Sequence, residues 1–147
     1  MSQPAPADEN RRRLTPDESA GLLARPLAGV FSTLHPAGWI HSVPVHFLYA
    51  DGEIRFLAEA DAVKSRNAAR TGQATLCVET TDGTVRSFVS VSGPVTVRRP
   101  PPVADLVALD EKYGRSDFSS GWSEDELAAA VILVLRPDRW IAWADWD

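Results

Sequence analysis

The residues best suited to chemistry in this chain are three histidines, one cysteine and a pair of cations, and their spacing limits what each could do. His41 and His46 are an odd number of positions apart, so on a regular strand they point to opposite faces. Neither they nor His35 have a carboxylate cluster nearby, which argues against metal ligation and for structural or pocket-lining roles. Cys77 lies in the apolar run ATLCVE, where a thiol without cationic neighbours is an inert core residue. A single cysteine also rules out a disulfide or a thiol metal cage within the chain.

The cations are more informative. The stretch DAVKSRNAAR reads as a helix over 61–71, with Asp61 as N-cap and Thr71-Gly72 as its end. Lys64 and Arg66 fall in the first turn, where the positive end of the helix dipole disfavours a cation by roughly 0.3–1 kcal/mol. Arg70 sits at the favourable end. Two readings fit: a solvated helix face, or an anion site in which the first-turn N–H groups and Lys64 hold a phosphate. Pro44 poses a similar choice, because it removes a ladder hydrogen bond from an otherwise convincing strand. Either Ser42-Val43-Pro44-Val45 is an edge strand or bulge, or a flat ligand lies along it. There is no dinucleotide fingerprint, P-loop or Ser-centred nucleophile elbow.

These residues need a scaffold, and the pattern of the chain supplies one. Residues 1–13, MSQPAPADENRRR, read as a mobile polar tail, leaving 14–147 as a single domain. Thr15-Pro16-Asp17-Glu18 is a capping-box start to a helix whose apolar side is Leu22 and Leu23. From Gly29 the hydrophobic period becomes two, in GVFSTLH, WIHSVPVHFLY and EIRFLAEA, with turns at Pro36-Ala37-Gly38 and Asp51-Gly52. After the helix come QATLCVET and RSFVSVSGPVTVRR, joined by TDGT. Three prolines at 100–102 then lead into a helix, VADLVALDEKYG, with Val103, Leu106, Val107 and Leu109 near one stripe. Gly114 to Gly121 reads as a polar loop, and Ser123 with Glu126 forms a second capping box. The run AVILVLRPDRWIAW reads as a buried strand, the alternative being a buried helix, ended by Pro137 either way. Five to seven antiparallel strands with one helix between the third and fourth suggest a small barrel.

With 147 residues the chain is one domain, and 20 acidic against 15 basic residues give a formal charge of −5. That balance argues against nucleic acid and membrane surfaces as partners. No apolar run approaches the roughly 20 residues that cross a bilayer. The segment after Arg11-Arg12-Arg13 is too polar for a signal peptide, so a cytoplasmic location is expected.

Taken in order, TLHPAGWIHSVPVHFLY, DGEIRFLAEA, KSRNAARTGQATLCVE and VSVSGPVTV resemble the pyridoxamine 5'-phosphate oxidase-like superfamily of flavin- and deazaflavin-binding proteins. The likeness runs from about Gly29 to Val97, and more weakly to LRPDRWIAW. It implies a mainly β fold, a six-stranded antiparallel split barrel of the FMN-binding type, paired as a homodimer with cofactor sites at the interface. The implied cofactor is FMN or coenzyme F420. By this resemblance Lys64, with Arg66 and Asn67, would contact the cofactor phosphate, and Ser42, Val43, Pro44 and Val45 would carry the ring. Leu57 and Ala58 would flank it, and Trp140 with Trp143 would line the site or the dimer contact. The chain departs from the family where Ala58, Glu59, Ala60, Asp61 and Ala62 replace donor-bearing residues before the lysine, and where His46 replaces an aromatic. For the acidic tail of the deazaflavin the candidates are Arg55, Arg86, Arg136, Arg139 and Arg11 to Arg13. The implied function is an oxidoreductase passing a hydride to or from a small organic molecule. His46, His41 and Tyr49 are candidates for proton donation or substrate hydrogen bonding. Two alternatives stand beside it: a non-catalytic flavin-, haem- or tetrapyrrole-binding protein, and a cofactor-free dimeric domain using the same cleft for a metabolite.

Overall fold

The three arginines at the end of the expected tail form a strand in the computed structural model, which describes residues 9–146. This strand, β1 (Arg11–Arg13), pairs antiparallel with the last strand of the chain. Two interactions hold it there: Arg12 donates to Glu18 at 2.6 and 2.8 Å, and the Arg11 guanidinium lies 4.2 Å from the centre of the Trp143 ring. Residues 11–13 of the expected tail are thus a paired strand, and residues 1–8 lie outside the described residues.

Helix α1 (Pro16–Ala24) starts as expected, with Thr15 and Glu18 exchanging capping bonds, and it buries Leu22 and Leu23. The meander follows as β2 (Gly29–Leu34), β3 (Ile40–Val45), β4 (Leu48–Ala50) and β5 (Glu53–Glu59). The run WIHSVPVHFLY is thus two strands and not one. It breaks because the Phe47 N–H donates to the Tyr113 hydroxyl at 3.0 Å instead of to a neighbouring strand. Helix α2 (Val63–Thr71) comes next and ends at Gly72, whose φ of 66° is the left-handed conformation a helix C-cap needs. Its N-cap is Ala62, one residue beyond the expected Asp61, and no side chain caps it.

Strands β6 (Gln73–Asp82) and β7 (Val85–Arg98) form a long hairpin, followed by α3 (Val103–Tyr113). Val103 and Val107 of the expected stripe are exposed, and the buried face is Asp105, Leu106, Leu109 and Asp110. Asp105 accepts from Arg55 through Oδ1 at 3.3 Å while its Oδ2 has no partner among the described residues, and Asp110 accepts from the backbone N–H groups of Phe118 and Ser119. Those partners stand on α4 (Asp117–Ser120), a single helical turn inside the expected loop, which precedes α5 (Glu124–Ala128) with its capping box. The final apolar run is two strands, β8 (Ala130–Leu135) and β9 (Arg139–Trp146), separated at Pro137.

The strands run β3-β2-β6-β7-β8-β5-β4, all antiparallel, with β9 on β7 and β1 on β9. The long β7 belongs to both halves of this split barrel: Val85 to Ser92 pair with β9, while Val95 to Arg98 pair with β8. Gly93 marks the crossover, and a Cβ there would lie 2.0 Å from the Arg136 carbonyl oxygen. The core lies inside, built on Phe31, Phe47, Phe56, Leu76, Val89 and Leu133, with Phe31 and Phe56 edge to face at 4.7 Å. β8 is buried on both faces, because Val131, Leu133 and Leu135 fill the barrel while Ile132 and Val134 meet Leu106 of α3. An unbroken AVILVL run suits such a strand.

Candidate functional site

Strand alternation sorts the expected ring-bearing run into two faces. Val43 and Val45 pack into the core, whereas Ser42 and Pro44 face outward on an edge strand that pairs only with β2. Pro44 therefore costs no ladder bond on its free side, which answers the question its position raised. Register extends the outward face across five strands. Ser42 lies opposite Ser32, Ser32 opposite Thr75, Thr75 opposite Ser92, and Ser92 opposite Arg139. Two pairs in this row are bonded, Ser32 to Ser42 at 2.8 Å and Thr75 to Ser92 at 2.7 Å. The row borders a groove of about 550 Å³, whose other walls include Leu34, Ile40 and the C-terminal end of α2. Apolar residues flank it: Val30 is 44% exposed, Leu34 45%, Ile40 62% and Ile141 57%.

At the other end of α2, the side chains of Lys64 and Arg66 have neither a hydrogen bond nor an ion pair among the described residues. No side chain caps the first-turn N–H groups, which stand beside two unpaired cationic side chains. That donor set suits a phosphate. Asn67 is buried, 2% exposed, and its amide donates to Thr33 at 3.2 Å while Arg70 donates to its oxygen. Its amide thus ties α2 to β2. Ala58 is likewise core, and Leu57 packs into the cluster beneath α3. Neither presents a side chain to the outer face.

The histidines are also elsewhere. His46 stacks on Tyr113 at 4.4 Å and its Nδ1 lies 3.3 Å from the Arg115 guanidinium. Burial and the Arg115 charge hold its pKa below the usual histidine range. Next to it, Lys112 donates to the Leu23 carbonyl at 2.7 Å, and burial depresses its pKa to about 8. His41 faces inward with Thr33, and its Nδ1 is buried without a partner. Cys77 is half-buried on the outer face, not in the core as expected, and burial together with Glu79 raises its pKa. Tyr49 and Trp140 do meet, edge to face at 6.2 Å, but on the opposite side of the sheet from the hydroxyl row. No group of three or more His, Cys, Asp or Glu capable of holding a metal occurs among the described residues. Of the basic candidates, Arg55 and Arg136 bind Glu53 and Arg86 binds Asp145, leaving Arg139, Arg11 and Arg13 without a carboxylate among the described residues. The hydroxyl row itself was legible only in hindsight. Its signal was the alternation of Ser and Thr with apolar residues in GVFSTL, ATLCVE and FVSVSG.

The sequence model of the pyridoxamine 5'-phosphate oxidase family matches residues 15–144. The chain belongs to this family. Among solved structures, this pyridoxamine 5'-phosphate oxidase family member is similar to an F420 reductase, with a TM-score of 0.71 and 24% identity over 86% of this chain and 98% of that one. It is also similar to a conserved hypothetical protein from Mycobacterium tuberculosis, with a TM-score of 0.77 and 21% identity over 97% and 89% of the two chains. A third is the FAD and heme binding protein from Mycobacterium smegmatis, with a TM-score of 0.69 and 18% identity over 95% and 74%. At these identities the likeness establishes the split-barrel fold. No curated protein matches the chain.

Proposed function

We propose that this family member is an oxidoreductase that uses FMN or coenzyme F420 to pass a hydride to or from a small organic molecule. The observation that carries the reading is the uncapped first turn of α2 with Lys64 and Arg66 unpaired beside it. In an acidic chain such a pair of cations calls for an anion, and a cofactor phosphate is the anion the family fold supplies. The residues present fit that group. When bound, a flavin or deazaflavin supplies the hydride donor or acceptor. Lys64 and Arg66 hold the phosphate, while the outward face of β3, with Ser42 and Pro44, gives the ring a flat seat. Ser32, Thr75 and Ser92 offer hydroxyl hydrogen bonds to the polar edge of a ring or substrate. The exposed apolar residues around that face exclude water once a second copy covers them, so the working unit is a homodimer. Arg139, at the end of the hydroxyl row, is the cation available to an acidic cofactor tail.

A second reading, a non-catalytic flavin- or haem-binding protein, is favoured by one observation: none of His35, His41 and His46 lines the groove beside the hydroxyl row. Titration of the purified protein with FMN and with F420, followed by absorbance and fluorescence, is the first test. Saturable binding with turnover of the reduced cofactor against an electron-poor alkene or quinone supports the oxidoreductase. Tight binding without turnover supports the second reading, as does a shifted Soret band on titration with haemin, and binding of none of the three overturns both.

A further inference from the structure

The barrel is left open along one line. Among the described residues β4 pairs only with β5, and Arg139 to Ile141 of β9 pair only with β7, since β1 covers β9 from Trp143 to Asp145. The contact of Tyr49 with Trp140, rings at 83° to each other, bridges the two free edges. Behind that contact lies a cavity of about 610 Å³, lined by Arg13, Leu14, Ser19, Tyr49, Trp140 and Trp143 among others. The volume is that of a small-molecule site, ~300–1,000 Å³.

Its chemistry is specific. The walls are mainly aromatic and aliphatic, and Arg13 is the single charged residue in the lining. Arg13 has no carboxylate partner among the described residues and lies 5.2 Å from the Trp143 ring. Ser19 is only 3% exposed, yet its hydroxyl has no hydrogen-bond partner among the described residues, and the same holds for the Tyr49 hydroxyl. One cation, two free hydroxyls and a pair of perpendicular rings suit an aromatic anion: its ring system packs against Tyr49 and Trp140, and its charge meets Arg13 and Ser19.

We propose that the seam, lined by Arg13 and Trp143 as well as by Tyr49 and Trp140, is a ligand site in its own right, and that it takes planar aromatic carboxylates. Calorimetric titration of the full chain with 2-naphthoate tests this. The expected result is one saturable site per chain, weakened about tenfold or more by Arg13→Ala, the equivalent of losing a charge-assisted hydrogen bond. Trp140→Ala should weaken it comparably, while Trp140→Phe, which keeps an aromatic wall, retains most of the affinity. Arg99→Ala removes an exposed cation elsewhere and should leave binding within about twofold. The neutral naphthalene-2-carboxamide should bind about tenfold less tightly than the acid. Circular dichroism checks that each variant is folded. The proposal is overturned by absence of saturable binding, by equal losses in Arg13→Ala and Arg99→Ala, or by unchanged affinity in Trp140→Ala. None of these outcomes depends on whether a flavin or deazaflavin binds.

Discussion

Lys64 and Asn67 sit three positions apart on one helix, yet the fold assigns them opposite fates. Lys64 is unpaired, and Asn67 is sealed between α2 and β2. If Lys64 holds a cofactor phosphate, Lys64→Ala should cost about 1.5–3 kcal/mol of binding, or roughly tenfold to a hundredfold in affinity. Its melting temperature should hold or rise slightly, since an unfavourable cation leaves the positive end of the helix dipole. Arg70→Ala should do the reverse, because Arg70 bonds the Leu34 carbonyl and Asn67 and sits at the favourable end. Equal cofactor affinity in wild type and Lys64→Ala would sink the phosphate reading. His46 makes a separate prediction. Its folded pKa lies below that of the unfolded chain, so the unfolded state binds protons first and stability falls as pH drops through the usual value of 6.5. His46→Phe, which keeps the stack on Tyr113, should flatten the loss between about pH 7 and 5 in denaturant titrations. Residue types alone could not separate these cases, because a side chain's partner is set by elements distant in sequence.

Elements were more legible than residues. Both capping boxes, at Thr15 and Ser123, could be read from spacing and are present. Thr15→Ala should therefore lower stability by about 0.5–2 kcal/mol, measurable as a shift in urea midpoint with unchanged slope. The meander from Gly29 was legible because one face of each strand is buried and period two follows from that. What could not be read was where a strand stops for a tertiary reason. Nothing local in HFLY announces that Tyr113, sixty-six residues away, will take the Phe47 N–H. Nor does WIAW declare itself a separate strand, since β9 is fixed by its register on β7. The arginine triplet looked like a tail because charge suggests solvent, and it is a strand because its alternate side chains reach Trp143 and Glu18.

At the scale of the molecule, the outward face carrying Val30, Leu34, Ile40 and Ile141 is the surface a second copy would cover. Sedimentation at micromolar concentration should give a species of twice the 16.0 kDa chain mass. Ile40→Asp should shift it to the monomer while circular dichroism stays unchanged, and a wild-type monomer would count decisively against the dimer. The shared strand β7 carries a different consequence. Since its two halves are laddered to different sets of neighbours, neither half of the barrel can open without fraying the strand that holds the other. The two halves should exchange their backbone amide protons together. In native-state hydrogen–deuterium exchange, the amides of Val89 and Val91 on one side and of Leu133 and Leu135 on the other should report one common opening free energy, equal to that of global unfolding.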